Sequence, residues 1–498
     1  MNKNRVLKNI ISVSGIVILA KILGFVKQMI TAGYFGATIQ TDLISLSEGL
    51  VSNIDYLLIH ALATAFIPTY IAIGMDEPEK RKKFVENTIS VFLIITLAIS
   101  SVLFIAAPVV ARILAPSYDA SLSVRLAGYI RIFAPVIIII VELAVFNALL
   151  KANEQFIPGE FVSCNQSIIL ILLVLAIGSK VGPDTLVIGF YTYAAINLIF
   201  LMICSRKYWS IRFSVAFSDP DVKKLLIMMG PLLLGYSMVF VNQQVDKIIV
   251  SGLGEGTVTA MSYAAVLSNF IGTFVGSICG VLFTYVTQCV TEKKEPEAAA
   301  LVTASSVQFM TLLLPVSILT VANASDIVTI VFGHGKFNAS AVAQCAIALA
   351  GYGCMFVPLV LREQFSRFQY AYGDSRQPMI NSAIAIVFNI IFSILLSRWL
   401  GVLGVTLATS ISVLICSALN VRSSLHRNQH LKLRDFLKCV PQWLAGVAIC
   451  LGMTLLGHRF LSGAHPAIRF LSITAVSFML YGIIAWPILK PLAARLRK

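Results

Sequence analysis

Stretches of about twenty apolar residues recur along this chain from end to end, and each is long enough to cross a hydrocarbon core of about 30 Å as a helix. They fall at 9–33, 41–73, 86–114, 124–150, 157–178, 185–204, 224–252, 258–290, 298–333, 341–370, 378–399, 402–421, 437–457 and 467–489. Lipid offers the backbone no hydrogen-bond partner, so spanning segments of this length must be helices. The expected fold is an all-α polytopic membrane protein of about 14 transmembrane helices. Composition agrees: of 498 residues, 58% are apolar and 12% charged, against about 45–50% and about 25% in soluble domains. The basic run before the first stretch, its length, and the second stretch close behind it indicate an uncleaved first span rather than a removed signal.

A formal net charge of +15 would suggest nucleic acid in a soluble protein, but its distribution points elsewhere. With an even number of spans both termini share a side, and the loops on that side carry about 26 Lys and Arg against 6 on the other. Such a bias places both termini in the cytoplasm. The charge is a topology signal with anionic lipid as its neighbour, and no nucleic-acid partner is implied. The nine cysteines (Cys164, Cys204, Cys279, Cys289, Cys345, Cys354, Cys416, Cys439, Cys450) show no metal-ligand spacing and are expected to be packing residues. No Walker, HExxH or GxSxG motif occurs and no loop exceeds about 20 residues, so neither an enzyme nor a metal or organic cofactor is expected.

The chain repeats itself. Leu126–Pro135 (LAGYIRIFAP) and Leu349–Pro358 (LAGYGCMFVP) match at six positions, the polar stretches closing on Pro158 and Pro378 correspond, and the turn Gly33–Gly36 has a counterpart at Gly252–Gly256. The common offset is six spans, an even number, so the halves share an orientation and are related by an axis along the membrane normal. The expected organisation is an N-lobe over 1–215, a C-lobe over 216–430, and a last pair of spans with a basic tail over 431–498.

Charges within the spans are the candidate functional residues, because a charge at the bilayer centre costs about 2.5–3.5 kcal/mol even on lenient scales. Arg112 and Arg131 lie near span ends, where snorkelling explains them. Asp246, Lys247 and Arg362 form a possible secondary cavity set, although Asp246 and Lys247 also lie near a turn and Arg362 adjoins Glu363. The first hairpin is more constraining. A turn centred near Thr38 sets Lys27 level with Glu48 and Lys21 level with Asp55, and Glu48 and Asp55 share a helix face. At 1.5 Å per residue Lys21 lies about 18 Å along its helix, too deep to snorkel. The hairpin is therefore expected to line a polar chamber in which the lysines either pair with these carboxylates or bind an anionic substrate.

Four segments carry a family resemblance: Ala20–Ile44 (AKILGFVKQMITAGYFGATIQTDLI), Ala63–Ile71 (ATAFIPTYI), Val245–Ala264 (VDKIIVSGLGEGTVTAMSYA) and Phe332–Val342 (FGHGKFNASAV). Together they resemble the MurJ/MviN family of the multidrug/oligosaccharidyl-lipid/polysaccharide exporter superfamily. The resemblance implies two six-helix lobes around a central cavity, with two extra helices holding a polyprenyl tail. It implies a flippase for an undecaprenyl-pyrophosphate-linked glycan, lipid II or a related exopolysaccharide or capsule repeat unit, working by alternating access in a bacterial inner membrane. Membrane potential or a monovalent cation would drive it, and glycan-assembly proteins are candidate partners. Two arginines of the family's first helix fall on Lys21 and Lys27, and its aspartate after the first turn falls on Asp42. These three are the implied substrate-binding residues, with Asp42 gating or orienting the hairpin. Where the family has a basic stretch in the second helix, this chain has Ser47–Tyr56 (SEGLVSNIDY), and Tyr263–Val266 lacks the arginine of the family's YADR. A cation-coupled multidrug exporter of the same superfamily and a membrane-embedded glycan polymerase or ligase are the competing classes; the extra helix pair argues against the first, and outward loops of about ten residues against the second.

Overall fold

The computed structural model describes the backbone of residues 3–74, 76–210, 212, 214, 216–431 and 434–496. The side chains of 1–14, 234–236, 238, 239, 435 and 491–498 also fall outside the described residues. Of the basic residues used for topology, Lys3, Arg5, Lys8, Lys432, Arg495, Arg497 and Lys498 therefore lie outside the described residues, as does most of the basic tail.

Two compact units are present, Met1–Thr259 with Gly335–Phe337, and Ala260–His334 with Asn338–Lys498. The first contains α1 (Lys3–Phe35), α2 (Ile39–Ala72), α3 (Pro78–Leu114), α4 (Ala120–Phe133), α5 (Val136–Ala152), α6 (Ile157–Val181), α7 (Thr185–Ser205) and α8 (Pro220–Ser251). The second contains α9 (Thr257–Thr291, less its first three residues), α10 (Glu295–Ala322), α11 (Ala324–Phe332), α12 (Ala339–Gly353) and α13 (Phe356–Ala371). It continues with α14 (Arg376–Leu400), α15 (Val402–Arg427), the short α16 (Arg434–Leu437), α17 (Val440–Phe460) and α18 (Pro466–Leu496). The chain is a multi-pass membrane protein: among the described residues, 11 helical stretches are long and apolar enough to cross a bilayer. One of them, 157–205, is α6 and α7 packed on each other. The bent pair α12 and α13 and the 32-residue α8 complete the expected spans.

Several spans are broken, and sequence repeats mark two of the breaks. The decapeptide Leu126–Pro135 contains the interruption between α4 and α5, and Leu349–Pro358 contains the one between α12 and α13, where the axis bends by 44°. Pro135 and Pro358 sit at or near the start of the following helix, where a missing N–H breaks no intrahelical bond. The repeat thus marks a shared break in the helix, bent at α12–α13 and within one continuous stretch at α4–α5.

Packing within each unit follows membrane rules. Ile105, Trp399 and Phe460 are exposed, as suits a surface bathed in acyl chains. Buried positions instead carry small polar groups that bond across helices. In the second unit Asn381 Nδ2 donates to Asn420 Oδ1 at 2.7 Å, Asn420 Nδ2 donates to Ser366 Oγ at 2.8 Å, and Gln369 Nε2 donates to Ser424 Oγ at 3.1 Å, tying α13, α14 and α15. The terminal pair belongs to this unit: Trp443 Nε1 on α17 donates to Thr311 Oγ1 at 2.9 Å, and Tyr481 on α18 donates to the Thr311 carbonyl at 3.1 Å. Arg469 on α18 forks onto both oxygens of Asp326 on α11. All nine cysteines are free, and five of them are buried.

In the first unit α1 lies mainly against α6, whereas α2 packs on α5 and α8. The hairpin of the first two spans therefore splays below its turn. The seventh span, α8, packs on α2 and α3, so it belongs to the first compact unit rather than opening the second.

Candidate functional site

Three glycine turns of the first unit interlock at the α1–α2 hairpin. Gly36 (φ +67°), Gly256 (φ +76°) and Gly335 (φ +62°) occupy the left-handed region, which glycine enters without steric cost. Each also lies where a Cβ would strike backbone: Lys336 O against Gly36, Ala37 O against Gly256, and Gly33 O against Gly335. The Lys336 N–H donates to Gly33 O at 2.7 Å. Glycine is required here for approach as much as for φ.

Asp42 pins this joint. It is fully buried, and its carboxylate accepts from the Gly256 N–H at 2.7 Å, the Thr259 N–H at 2.8 Å and the Thr259 hydroxyl at 2.6 Å. These N–H groups are among the orphan donors that open a helix, so Asp42 caps the turn from another segment. Beside it the Ile39 N–H donates to Glu255 Oε1 at 3.1 Å. With both oxygens engaged and no exposed surface, Asp42 acts in this conformation as a staple, an arrangement that fits a role in orienting the hairpin.

Below the joint, Lys27 on α1, Glu48 on α2 and Lys247 on α8 form one electrostatic cluster: Glu48 interacts with both lysines. All three are half-buried. The sequence register paired Lys27 with Glu48, and the structure brings them together. Lys247, expected in a secondary cavity, joins them because α8 crosses α2 at Gly49. A Cβ at position 49 would overlap Lys247 Nζ, and Gln244 Nε2 donates to the Gly49 carbonyl at 3.4 Å. The missing side chain at Gly49 is thus what admits the ammonium group. The cluster carries two positive charges against one negative charge, which leaves it able to attract an anion.

Other expected members lie elsewhere. Lys21 is exposed and forms no ion pair among the described residues, so the Lys21–Asp55 pair is absent. The cause is the packing of α1: a register fixes depth, but α1 lies along α6 rather than α2, from Phe35 and Tyr34 beside Gly178 to Gly24 beside Ser167, and carries Lys21 away from Asp55. Asp55 is buried instead, with both oxygens lacking a hydrogen-bond partner. Asp246 is buried but engaged. Arg362 belongs to the second unit and pairs with Glu363 at 2.8 Å, which also meets Arg367 at 3.5 Å. Arg112 and Arg131, set aside as snorkelling residues, line a cavity of about 480 Å³ with Tyr118 and Ser123 at the α3–α4 hairpin. Glu142 on α5, which the sequence reading missed, is buried with both carboxylate oxygens unpartnered; a lone acid inside a long apolar run was the available signal.

Comparison with known proteins settles the family. The model of the family described as lipid II flippase MurJ matches residues 31–475. The chain belongs to that family. Among curated relatives, the probable lipid II flippase MurJ of Rickettsia prowazekii (strain Madrid E) is 23% identical over 79% of this chain and 79% of its own length. A solved structure of lipid II flippase MurJ in an inward closed conformation superposes with a TM-score of 0.81 at 19% identity, covering 96% of this chain and 100% of that one. An inward-facing multidrug resistance MATE family transporter of the MOP superfamily gives a TM-score of 0.63 at 14% identity over 84% of this chain and 98% of that one. At those identities the structural likeness establishes the fold alone, a MurJ/MATE-type polytopic helical bundle.

Proposed function

We infer that this chain is a flippase that carries an undecaprenyl-pyrophosphate-linked glycan, lipid II or a related exopolysaccharide or capsule repeat unit, from the cytoplasmic to the periplasmic leaflet by alternating access. Family membership supports the activity. The observation that supports the ligand class is the half-buried Lys27–Glu48–Lys247 cluster with its surplus positive charge. Ammonium groups bind phosphate as point charges without bidentate geometry, so lysine serves a pyrophosphate that slides through rather than docks. Glu48 holds the two ammonium groups in register and weakens their grip, which release on the far side requires. Membrane lipid surrounds the spans, and the basic loops favour an inner-membrane orientation with cytoplasmic termini. The protein has no catalytic role in this reading, and glycan-assembly enzymes would supply and consume its cargo.

Reconstituted flipping of a fluorescent pyrophosphate-linked glycan tests the site. Lys27→Ala and Lys247→Ala should each lose at least tenfold in rate with normal folding. Lys21→Ala should lose far less. Equal losses at all three would remove the cluster from the substrate path.

A further inference from the structure

Two carboxyl groups of the first unit take no part in the lysine cluster. Asp55 on α2 is 3% exposed and Glu142 on α5 is 6% exposed, and all four oxygens lack a hydrogen-bond partner. Neither forms an ion pair among the described residues. They also lie at one depth. Gln40 Nε2 on α2 donates to Tyr129 OH at 3.2 Å, and Asn153 Nδ2 beyond α5 donates to Tyr70 OH at 3.3 Å, so α2 runs parallel to the α4–α5 span and is pinned to it at both ends. Asp55 is midway between Gln40 and Tyr70; midway between Tyr129 and Asn153 is Val141, next to Glu142. Both ends of the span being fixed, this depth is the middle of the span.

The ionisable groups on neighbouring elements do not neutralise these acids. Tyr193 on α7, in electrostatic contact with both Glu48 and Asp55, supplies no positive charge. On α8, Lys247 is engaged with Glu48, and Asp246 is another acid. On α3, Glu86 accepts from Ser210 Oγ. On α4, Tyr129 donates to Asp184 and Arg131 stacks over Phe104. On α6, Glu160 pairs with Lys151 at 3.2 Å. A carboxylate ion so placed would be desolvated without compensation, and such a group takes up a proton instead.

We propose that Asp55 and Glu142 form a proton-loading site of the first unit, each carrying a proton in this conformation and exchanging it with water when the conformation changes. Each carboxylate gains one H⁺ from water on one side and returns one H⁺ to the other. The consequence, proton-coupled transport, rests on the flippase reading; proton occupancy does not, and it is measured without substrate.

Infrared spectroscopy of the purified protein in lipid nanodiscs, in H₂O and D₂O at neutral pH, provides the test. The wild type should show carbonyl-stretch absorption of protonated carboxyl groups that shifts in D₂O. Asp55→Asn and Glu142→Gln, which mimic the neutral acid in shape, should each remove part of it and the double variant nearly all. Their melting temperatures should stay near wild type, since neither variant disturbs a bond. The band should also decrease in strongly alkaline buffer as the pair exchanges with water. A missing band, a band that survives in the double variant, or one that never responds to pH would overturn the proposal. A carboxylate holding a metal cation would give the first of these results.

Discussion

Replacing Asp42 by alanine separates a structural staple from a ligand contact. The substitution removes three hydrogen bonds to a carboxylate, at 2.7, 2.8 and 2.6 Å, and leaves the Gly256 N–H and the Thr259 N–H and hydroxyl without their acceptor. A buried donor stripped of its partner costs about 1–3 kcal/mol, and partial relaxation of the turn recovers some of this, so a net loss of about 3–5 kcal/mol is expected. Asp42→Asn should lose less, about 2–3 kcal/mol by the same scale, because its amide oxygen can still serve Thr259 while its NH₂ group opposes the Gly256 N–H. In a unit of this size the alanine variant should melt on the order of 10 °C lower. Thermal unfolding in nanodiscs, followed by intrinsic fluorescence, gives the shift. An alanine variant that melts with the wild type yet no longer transports would refute the reasoning and return Asp42 to the substrate path.

Gly49→Ala should slow transport, by no more than Lys247→Ala does and with little loss of expression, because the new methyl group displaces Lys247 Nζ from its position; flipping rate against membrane abundance checks it. Gly335→Ala faces both a φ of +62° and the Gly33 carbonyl, so it should lower the melting temperature by several degrees, whereas Gly463→Ala, with open space around it, should not. Arg469→Ala leaves the buried Asp326 to the His458 ring at 3.9 Å and should cost about 3 kcal/mol, the low end of the effect of breaking a buried pair from one side; Asp326→Asn with Arg469→Gln should recover part of the loss in a thermal melt.

What could be read from the sequence divides along physical lines. Span positions were legible because lipid forces helix on every apolar stretch of sufficient length, and the two decapeptides flagged real features, the breaks at 134–135 and 354–355. The Lys27–Glu48 pairing was legible because both residues lie close to a short turn, where two antiparallel helices have had little length over which to diverge. Lys21 and Asp55 sit farther down the same hairpin, whose first helix lies along α6 rather than α2. Depth arithmetic cannot see that choice of partner. Lys247 joined the cluster through Gly49, a contact between segments about 200 residues apart that no local pattern encodes. Asp42 was marked in the sequence only by the family resemblance; its bonds to Gly256 and Thr259 join segments more than 200 residues apart, which no local pattern encodes.

The central claim concerns cargo, and depletion of the protein in its own bacterium tests it most directly. Lipid-linked intermediates accessible on each leaflet would be extracted and identified by mass spectrometry before and after depletion. The account predicts that one undecaprenyl-pyrophosphate-linked glycan accumulates on the cytoplasmic leaflet, and that the wild-type chain clears it while the Lys27→Ala, Lys247→Ala double variant does not. Depletion with no such intermediate accumulating, or clearance by the double variant as fast as by wild type, would contradict it.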